Sequence, residues 1–417
     1  MDYFNYRKND LYAEDILIED LAKEFGTPLY VYSKATLVRH MKAFEDALKN
    51  RRHKICYAVK ANSNLAILQI MASLGAGFDI VSEGELRRVI AAGGDPHLCV
   101  YSGVGKTEEE IRFALKSGIN CLNIESEAEY LLVAKVAKEL NVVAPVALRV
   151  NPNVDAKTLP AISTGLKNNK FGIPHEEAIK IYRKMADNPY LKISGLDCHI
   201  GSQMTSGEPI IEATERLLEI YHSLCEEGIK IDHIDLGGGL GVTYDNETPP
   251  SPADYFAKVS ECLGDIDVEL YIEPGRAMVA NAGVLLTKVQ YQKSNGDNHF
   301  VIVDGAMNDL IRPALYGSWM NIINAHKYDD IDAVNTDIVG PICESDDFLG
   351  KNRSLSVKDG DILVVRGAGA YGSSMSSNYN SRRLCAEVMV DGDKAYLIRK
   401  RQDYSDIWKD ELLLQYK

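Results

Sequence analysis

The sequence predicts a closed (β/α)8 barrel followed by a second, mainly antiparallel β domain. Eight short apolar runs, at 54–60, 77–81, 97–101, 119–124, 143–150, 192–199, 231–236 and 268–273, have the length and composition of buried strands. Between them lie amphipathic stretches of helical period, at 64–74, 83–92, 107–117, 126–140, 175–187, 208–227 and 252–263. After residue 280 the texture changes. Strand-like runs at 283–292, 299–304, 335–340, 361–366 and 384–399 are joined by turn-rich segments such as Ser294-Asn295-Gly296-Asp297 and Asp391-Gly392-Asp393, with little helical periodicity.

Taken in order, residues 1–30 carry a helical pattern from Ala13 to Phe25, then the alternating strand Thr27-Pro28-Leu29-Tyr30-Val31-Tyr32. Eight strand–helix units within about 250 residues match a closed barrel. An open, doubly wound sheet would have fewer strands and a glycine-rich dinucleotide turn after the first. Here the first strand runs into Ala61-Asn62-Ser63-Asn64. A length of 417 residues supports two domains: a barrel over 31–280 and a β domain over 281–417, with residues 1–30 packing on the latter.

The bulk numbers narrow the function. Forty-six Lys and Arg against 60 Asp and Glu give a net charge of −14, which argues against a nucleic-acid partner. A small anionic substrate remains open, because a few arginines act locally whatever the net charge. The eight cysteines (56, 99, 121, 198, 225, 262, 343 and 385) show no Cys-x-x-Cys pair and no Cys/His metal spacing, so no metal site is expected. Reduced cysteines, no apolar signal segment after Met1, and no run of membrane-spanning length predict a cytoplasmic protein.

In a barrel the carboxyl ends of all strands converge on one face. Strand one delivers Lys60 to that edge; partial desolvation there makes an amine a usable nucleophile, although a solvated lysine capping a strand is the plainer reading of this residue alone. Strand two carries Asp79. Strand five ends Leu148-Arg149-Val150-Asn151, strand six Cys198-His199-Ile200-Gly201-Ser202-Gln203, strand seven Asp235-Leu236-Gly237-Gly238-Gly239, and strand eight Glu273-Pro274-Gly275-Arg276. The triple glycine lets backbone N–H groups approach a phosphate, and it lacks the Gly-Lys-Ser/Thr ending of an ATP loop. His199 can stack on a planar ring or move a proton, or be a satisfied core histidine. Glu273 against a pyridine nitrogen would keep that nitrogen protonated, and Arg276 could grip a carboxylate; the two could also simply pair. Together these groups complement pyridoxal phosphate. From the β domain come Cys343, a candidate proton donor to a carbanion, Tyr371 among small residues, and Arg312 with Tyr316, four apart on one face of a helical turn.

These motifs, Tyr57-Ala58-Val59-Lys60-Ala61-Asn62, His199-Ile200-Gly201-Ser202-Gln203, Gly237-Gly238-Gly239, Glu273-Pro274-Gly275-Arg276, Cys343-Glu344-Ser345 and Tyr371, span nearly the whole chain. In this order they resemble the diaminopimelate decarboxylases, of the barrel-fold, alanine-racemase-like class of pyridoxal-phosphate enzymes. The resemblance implies Lys60 as the Schiff-base lysine, with Asp79 and Arg149 in the cofactor site. His199 would stack on the ring and Glu273 would pair with its nitrogen. Gly238, Gly239, Ser202 and the segment Glu273-Pro274-Gly275-Arg276 would hold the phosphate, with Tyr371 assisting. Cys343 would donate the proton. Arg276, Arg312 and Tyr316 would bind the distal carboxylate of the substrate, Glu344 its distal ammonium, and Tyr371 would also line the substrate site. The implied reaction is decarboxylation of meso-2,6-diaminopimelate to L-lysine, the last step of lysine biosynthesis, in a homodimer with shared active sites. The alternative is a decarboxylase of another basic amino acid or carboxylated polyamine, of ornithine or arginine type. Those relatives typically place Asp-Gly after the cysteine, where this chain has Glu344-Ser345, and ornithine has no distal carboxylate for Arg312.

Overall fold

The computed structural model describes residues 2–156, 158, 164–165 and 169–415. Eight parallel strands, His53–Ala58, Gly77–Ile80, Cys99–Tyr101, Cys121–Ile124, Ala144–Asn151, Leu191–Asp197, His233–Asp235 and Glu269–Ile272, pair in chain order. Leu270–Ile272 pairs back onto His53–Ile55, so the sheet closes. The strands are short and buried on both faces, as helix-covered parallel strands must be. Inside the ring, Cys56, Val100, Cys121, Ala147 and Tyr271 form one packed cluster. Gly195 leaves room for the imidazole of His233, which a β-carbon there would strike. His233 therefore lies flat on Tyr271, ring centroids 4.1 Å apart and 8° from parallel.

All seven helices expected between the strands are present, from Leu65–Ser73 to Pro252–Leu263. Five start from a side-chain cap: Asn64, Ser82, Thr107, Ser126 and Ser251 each accept a first-turn N–H. These caps fix how far each loop travels beyond its strand, and hence where the strand-end side chains stand. The helix Lys34–Leu48, not expected from the sequence, precedes the first strand and packs Phe44 against Phe256 of Pro252–Leu263 at 5.8 Å. The ring's eighth helix thus comes from the chain ahead of the first barrel strand.

By compactness the barrel unit is Val38–Thr243 with Glu247–Met278, and the second unit is Met1–Leu37, Tyr244–Asn246 and Val279–Lys417. The second unit holds a mixed, mainly antiparallel sheet, in the order Phe348–Leu355, Val334–Val339, Asn298–Val303, Gly283–Asn295, Leu29–Ser33, Ala386–Asp391 and Lys394–Arg399. Phe4, Leu11, Ile18 and Leu21 from the amino terminus pack with Val31, Val284, Leu286, Val364 and Val388 in one core.

Three element expectations are corrected. The helix expected over Ala13 to Phe25 runs only from Ile18 to Phe25; Asp10–Ala13 and Ile16–Leu17 are strands in a small sheet with Phe4–Arg7. Their alternating side chains bury Leu11 and Ala13, and pairing with the neighbouring strand outweighs helix propensity. The run 384–399 is a hairpin of two strands that turns at Asp391-Gly392-Asp393, where Gly392 has φ +64°. Phe348–Leu355 is an additional strand that no apolar run marks, because Gly350 and Lys351 break its pattern. No helix among the described residues is long and apolar enough to cross a membrane.

Candidate active site

The barrel brings its strand-end residues into one polar cluster. Lys60 sits not on the first strand but on the 3-10 turn Val59–Ala61 directly after it. Its ammonium pairs with Asp79 at 2.9 Å; the lysine side chain is 39% exposed and the aspartate 0%. The amine is thus partly exposed while its partner is fixed inside. Arg149, buried, meets Glu125 at 3.1 Å. Glu125 also accepts the N–H groups of Gly103 at 3.0 Å and Gly172 at 2.9 Å, so one carboxylate pins three loops.

His199 and the glycine turn are joined. The N–H of Gly238 donates to His199 Nδ1 at 3.1 Å, so that nitrogen carries a lone pair and the ring proton belongs on Nε2. Burial, then the charges of Lys60 and Arg149, hold the His199 pKa well below its ordinary value. A neutral, flat imidazole is what a stacking partner requires.

The turn itself cannot carry side chains. A β-carbon on Gly237, at φ +64°, would lie 2.5 Å from His199 Nδ1 and 2.8 Å from the Cys198 carbonyl. One on Gly238 would strike the Glu273 carbonyl, and one on Gly239, at φ +121°, would strike Met204. Gly275 is also closely packed: a β-carbon there would lie 3.1 Å from Cβ of both Ala58 and Ala61. Beside it, the carbonyl of Pro274 accepts from the Ala58 N–H at 3.2 Å. Arg276, buried, donates to Ser202 Oγ from Nη2 at 3.0 Å and from Nε at 3.3 Å. Ser202 and Arg276 therefore stand together beside a glycine turn, the donor set that a phosphate needs.

Glu273 is 5% exposed, and its Oε1 is buried without a hydrogen-bond partner. Burial, then Asp235, Asp79 and Asp197, push its pKa well above the carboxylate range. Glu85, across the Lys60–Asp79 pair, is pushed up to about 7 by burial first. Sequence reasoning does not select Glu125, Asp197 or Asp235.

In the second unit, Arg312 opens the short helix Arg312–Tyr316 and is 7% exposed. Three tyrosine rings surround its guanidinium: Tyr316 at 5.5 Å, Tyr371 at 5.7 Å and Tyr244 at 5.9 Å to the ring centroids. Tyr244 is not anticipated by the sequence. It comes from residues 244–246, which belong to this unit although barrel segments flank them in sequence. Cys343 and Glu344 are exposed on the loop between Val334–Val339 and Phe348–Leu355. The Cys343 N–H donates to Asn380 Oδ1 at 3.1 Å, and the Tyr379 hydroxyl donates to Glu344 Oε1.

The barrel cluster fits pyridoxal phosphate: an amine with an outlet, a glycine cradle that a β-carbon would fill, a neutral flat histidine, and an orphaned buried carboxyl oxygen for a ring nitrogen. Comparison with known proteins agrees. Residues 34–280 match the family model described as pyridoxal-dependent decarboxylase, pyridoxal binding domain. The chain is 54% identical over 409 residues to the diaminopimelate decarboxylase of Haemophilus influenzae, covering 98% of this chain and 99% of the relative. To that of Vibrio cholerae it is 55% identical over 416 residues, covering 99% and 100%. The crystal structure of diaminopimelate decarboxylase from Helicobacter pylori complexed with L-lysine superposes with a TM-score of 0.91 at 42% identity, covering 94% of this chain and 98% of that one.

Proposed function

We propose that this chain, which belongs to the diaminopimelate decarboxylase family of pyridoxal-dependent decarboxylases, converts meso-2,6-diaminopimelate to L-lysine and CO2. The observation that carries the residue assignment is the buried, orphaned Glu273 oxygen at the end of the barrel that also holds Lys60 and the glycine cradle. When bound, pyridoxal phosphate supplies the electron sink for the pair left behind by departing CO2.

The protein's own part is binding, orientation and proton control. Lys60 Nζ is the amine that would hold the cofactor, and Asp79 sets its position. His199 offers its face to the ring and Glu273 holds the proton at the ring nitrogen. The N–H groups of Gly238 and Gly239, the Ser202 hydroxyl and Arg276 take the phosphate, with Tyr371 assisting; Pro274 and Gly275 keep that backbone close. Arg149 anchors the floor of the site through Glu125. Arg312 and Tyr316, with Arg276, read the distal carboxylate, Glu344 the distal ammonium, and Tyr371 also lines the substrate site. One carbon–carbon bond breaks, CO2 leaves, and Cys343 delivers a proton to the same carbon.

Cys343 and Glu344 are exposed on their own chain, which supports a homodimer in which this loop serves the partner's site. Eight free cysteines support a cytoplasmic setting. The test is lysine formation from meso-diaminopimelate, with and without added cofactor, beside ornithine and arginine. Cofactor-dependent lysine with little product from the other two is expected; faster turnover of ornithine or arginine would overturn the assigned roles of Arg312 and Glu344.

A further inference from the structure

The barrel interior contains more carboxyl groups than cations. Facing one another at its carboxyl end are Lys60 from the first strand's turn, Asp79 from the second strand, and Glu125 after the fourth. Arg149 comes from the fifth strand, Asp197 and His199 from the sixth, Asp235 from the seventh, and Glu273 follows the eighth. Lys60 is matched by Asp79 and Arg149 by Glu125. His199 accepts a backbone proton and is neutral. Asp197, Asp235 and Glu273 are left without a cation of their own. Each of the three offers a side-chain oxygen, and these oxygens lie within 4.8 Å of one another. Asp197 Oδ1, Asp235 Oδ2 and Glu273 Oε1 are all buried and without a hydrogen-bond donor. Three ionised carboxylates cannot share such a space; like charges this close force protons onto the group. A protonated ring nitrogen offsets only one of them.

We propose that Asp235 is a positioning residue that stays protonated at neutral pH and donates a hydrogen bond through Oδ2 to Glu273. Its other oxygen, Oδ1, is already committed as an acceptor from the Gly237 N–H at 2.8 Å, so Oδ2 is the oxygen free to carry the proton. A donor behind Glu273 fixes the carboxylate's direction and lowers its basicity. The proton between Glu273 and the ring is thereby kept on the ring side. The same residue ties the phosphate-side glycine turn to the nitrogen-side carboxylate. Burial, and to a lesser extent the neighbouring Asp79, raise the proton affinity of Asp235, while its hydrogen bonds with Gly237 and Glu273 and the charge of Arg149 act the other way.

This inference rests on the reading of Glu273 as the ring-nitrogen partner, and the experiment separates the two. Infrared spectra of the holoenzyme at neutral pH are compared for wild type, Asp235→Asn and Asp235→Ala, with cofactor affinity measured by absorbance in each. Asparagine keeps both the acceptor for Gly237 and a donor for Glu273; alanine keeps neither. A protonated-carboxyl band that disappears in D235N is expected. Cofactor affinity should fall about ten- to hundredfold in D235A, the worth of a hydrogen bond to a charged group, and recover to within about threefold of wild type in D235N. No such band in wild type, or a D235N affinity as poor as that of D235A, would overturn the proposal. Either result would show that Asp235 acts as an anion, or binds a small cation in place of the proton. If D235A does not fold, the band and the D235N affinity still decide. Glu273→Gln tests the underlying reading: an unchanged cofactor absorbance there would reject the Glu273 role itself, whatever Asp235 does.

Discussion

Replacing Lys106 with methionine removes the cation from a buried network that supports the site from beneath. The Lys106 side chain is 1% exposed and that of its partner Glu129 7%, with the ion pair at 2.6 Å. Lys106 Nζ also donates to the carbonyls of Gly103 at 2.8 Å and Asn123 at 2.7 Å. Glu129 Oε2 then accepts the N–H of Glu125 at 2.8 Å, and Glu125 holds Arg149. Lys106→Met strands a buried carboxylate and two carbonyls. Breaking a buried pair from one side costs about 3–5 kcal/mol, well above the net worth of the pair. At about 2–4 °C per kcal/mol for a domain of this size, the barrel's Tm should fall by about 6–20 °C. Thermal unfolding followed by circular dichroism, on wild type, K106M, E129Q and the double variant, measures this. Glutamine at 129 removes the stranded charge, so the double variant should be more stable than the two single losses added together, by about 1–3 kcal/mol. A K106M loss below about 1 kcal/mol, or strict additivity, would refute the reasoning.

Further outcomes follow from the same structure. His233 is buried, and burial with the nearby Lys54 depresses its pKa to about 3. The unfolded chain therefore binds a proton below about pH 6.5 that the folded chain refuses, so this group's effect on stability is lost progressively as pH falls from about 6.5 towards 3. Between pH 7 and 5 the wild type should lose about 2 kcal/mol that His233→Leu does not lose, read from denaturation midpoints; parallel curves would contradict it. Gly239→Ala places a side chain at φ +121° against Met204, a strain of about 1–3 kcal/mol, and should weaken cofactor binding in an absorbance titration. Mixing inactive Lys60→Ala with inactive Cys343→Ala should restore part of the activity if the loop of one subunit serves its partner; no recovery in subunit-exchanged samples would reject shared sites. Arg312→Met should raise KM for meso-diaminopimelate about ten- to hundredfold, with cofactor absorbance unchanged.

The architecture is legible because the barrel's periodicity is strong: short strands buried on both faces alternate with capped amphipathic helices, and each of those helices lies within two residues of its expected bounds. The departures are local. Between Ala13 and Leu17 the residues suit a helix, but pairing with Phe4–Arg7 decides the outcome, and that partner is far too weakly patterned to be read alone. Lys60, His199, the glycine turn and Glu273 can be singled out because each ends a strand with an unusual residue type. Asp197, Asp235 and Glu125 escape notice because single acids near strand ends usually face solvent. Only closure of the ring shows that they face inward and outnumber the cations. Tyr244 is out of reach for another reason: its partner Arg312 is distant in sequence, and nothing in residues 240–250 marks a departure from the barrel.

The most direct test of the site is reduction of the holoenzyme with borohydride, followed by peptide mapping of the pyridoxyl label. The label is expected on Lys60, the amine held by Asp79 at the open end of the barrel, and should be absent in Lys60→Ala. A label on another lysine, or none in cofactor-loaded wild type, would contradict the assignment from which every other role is derived.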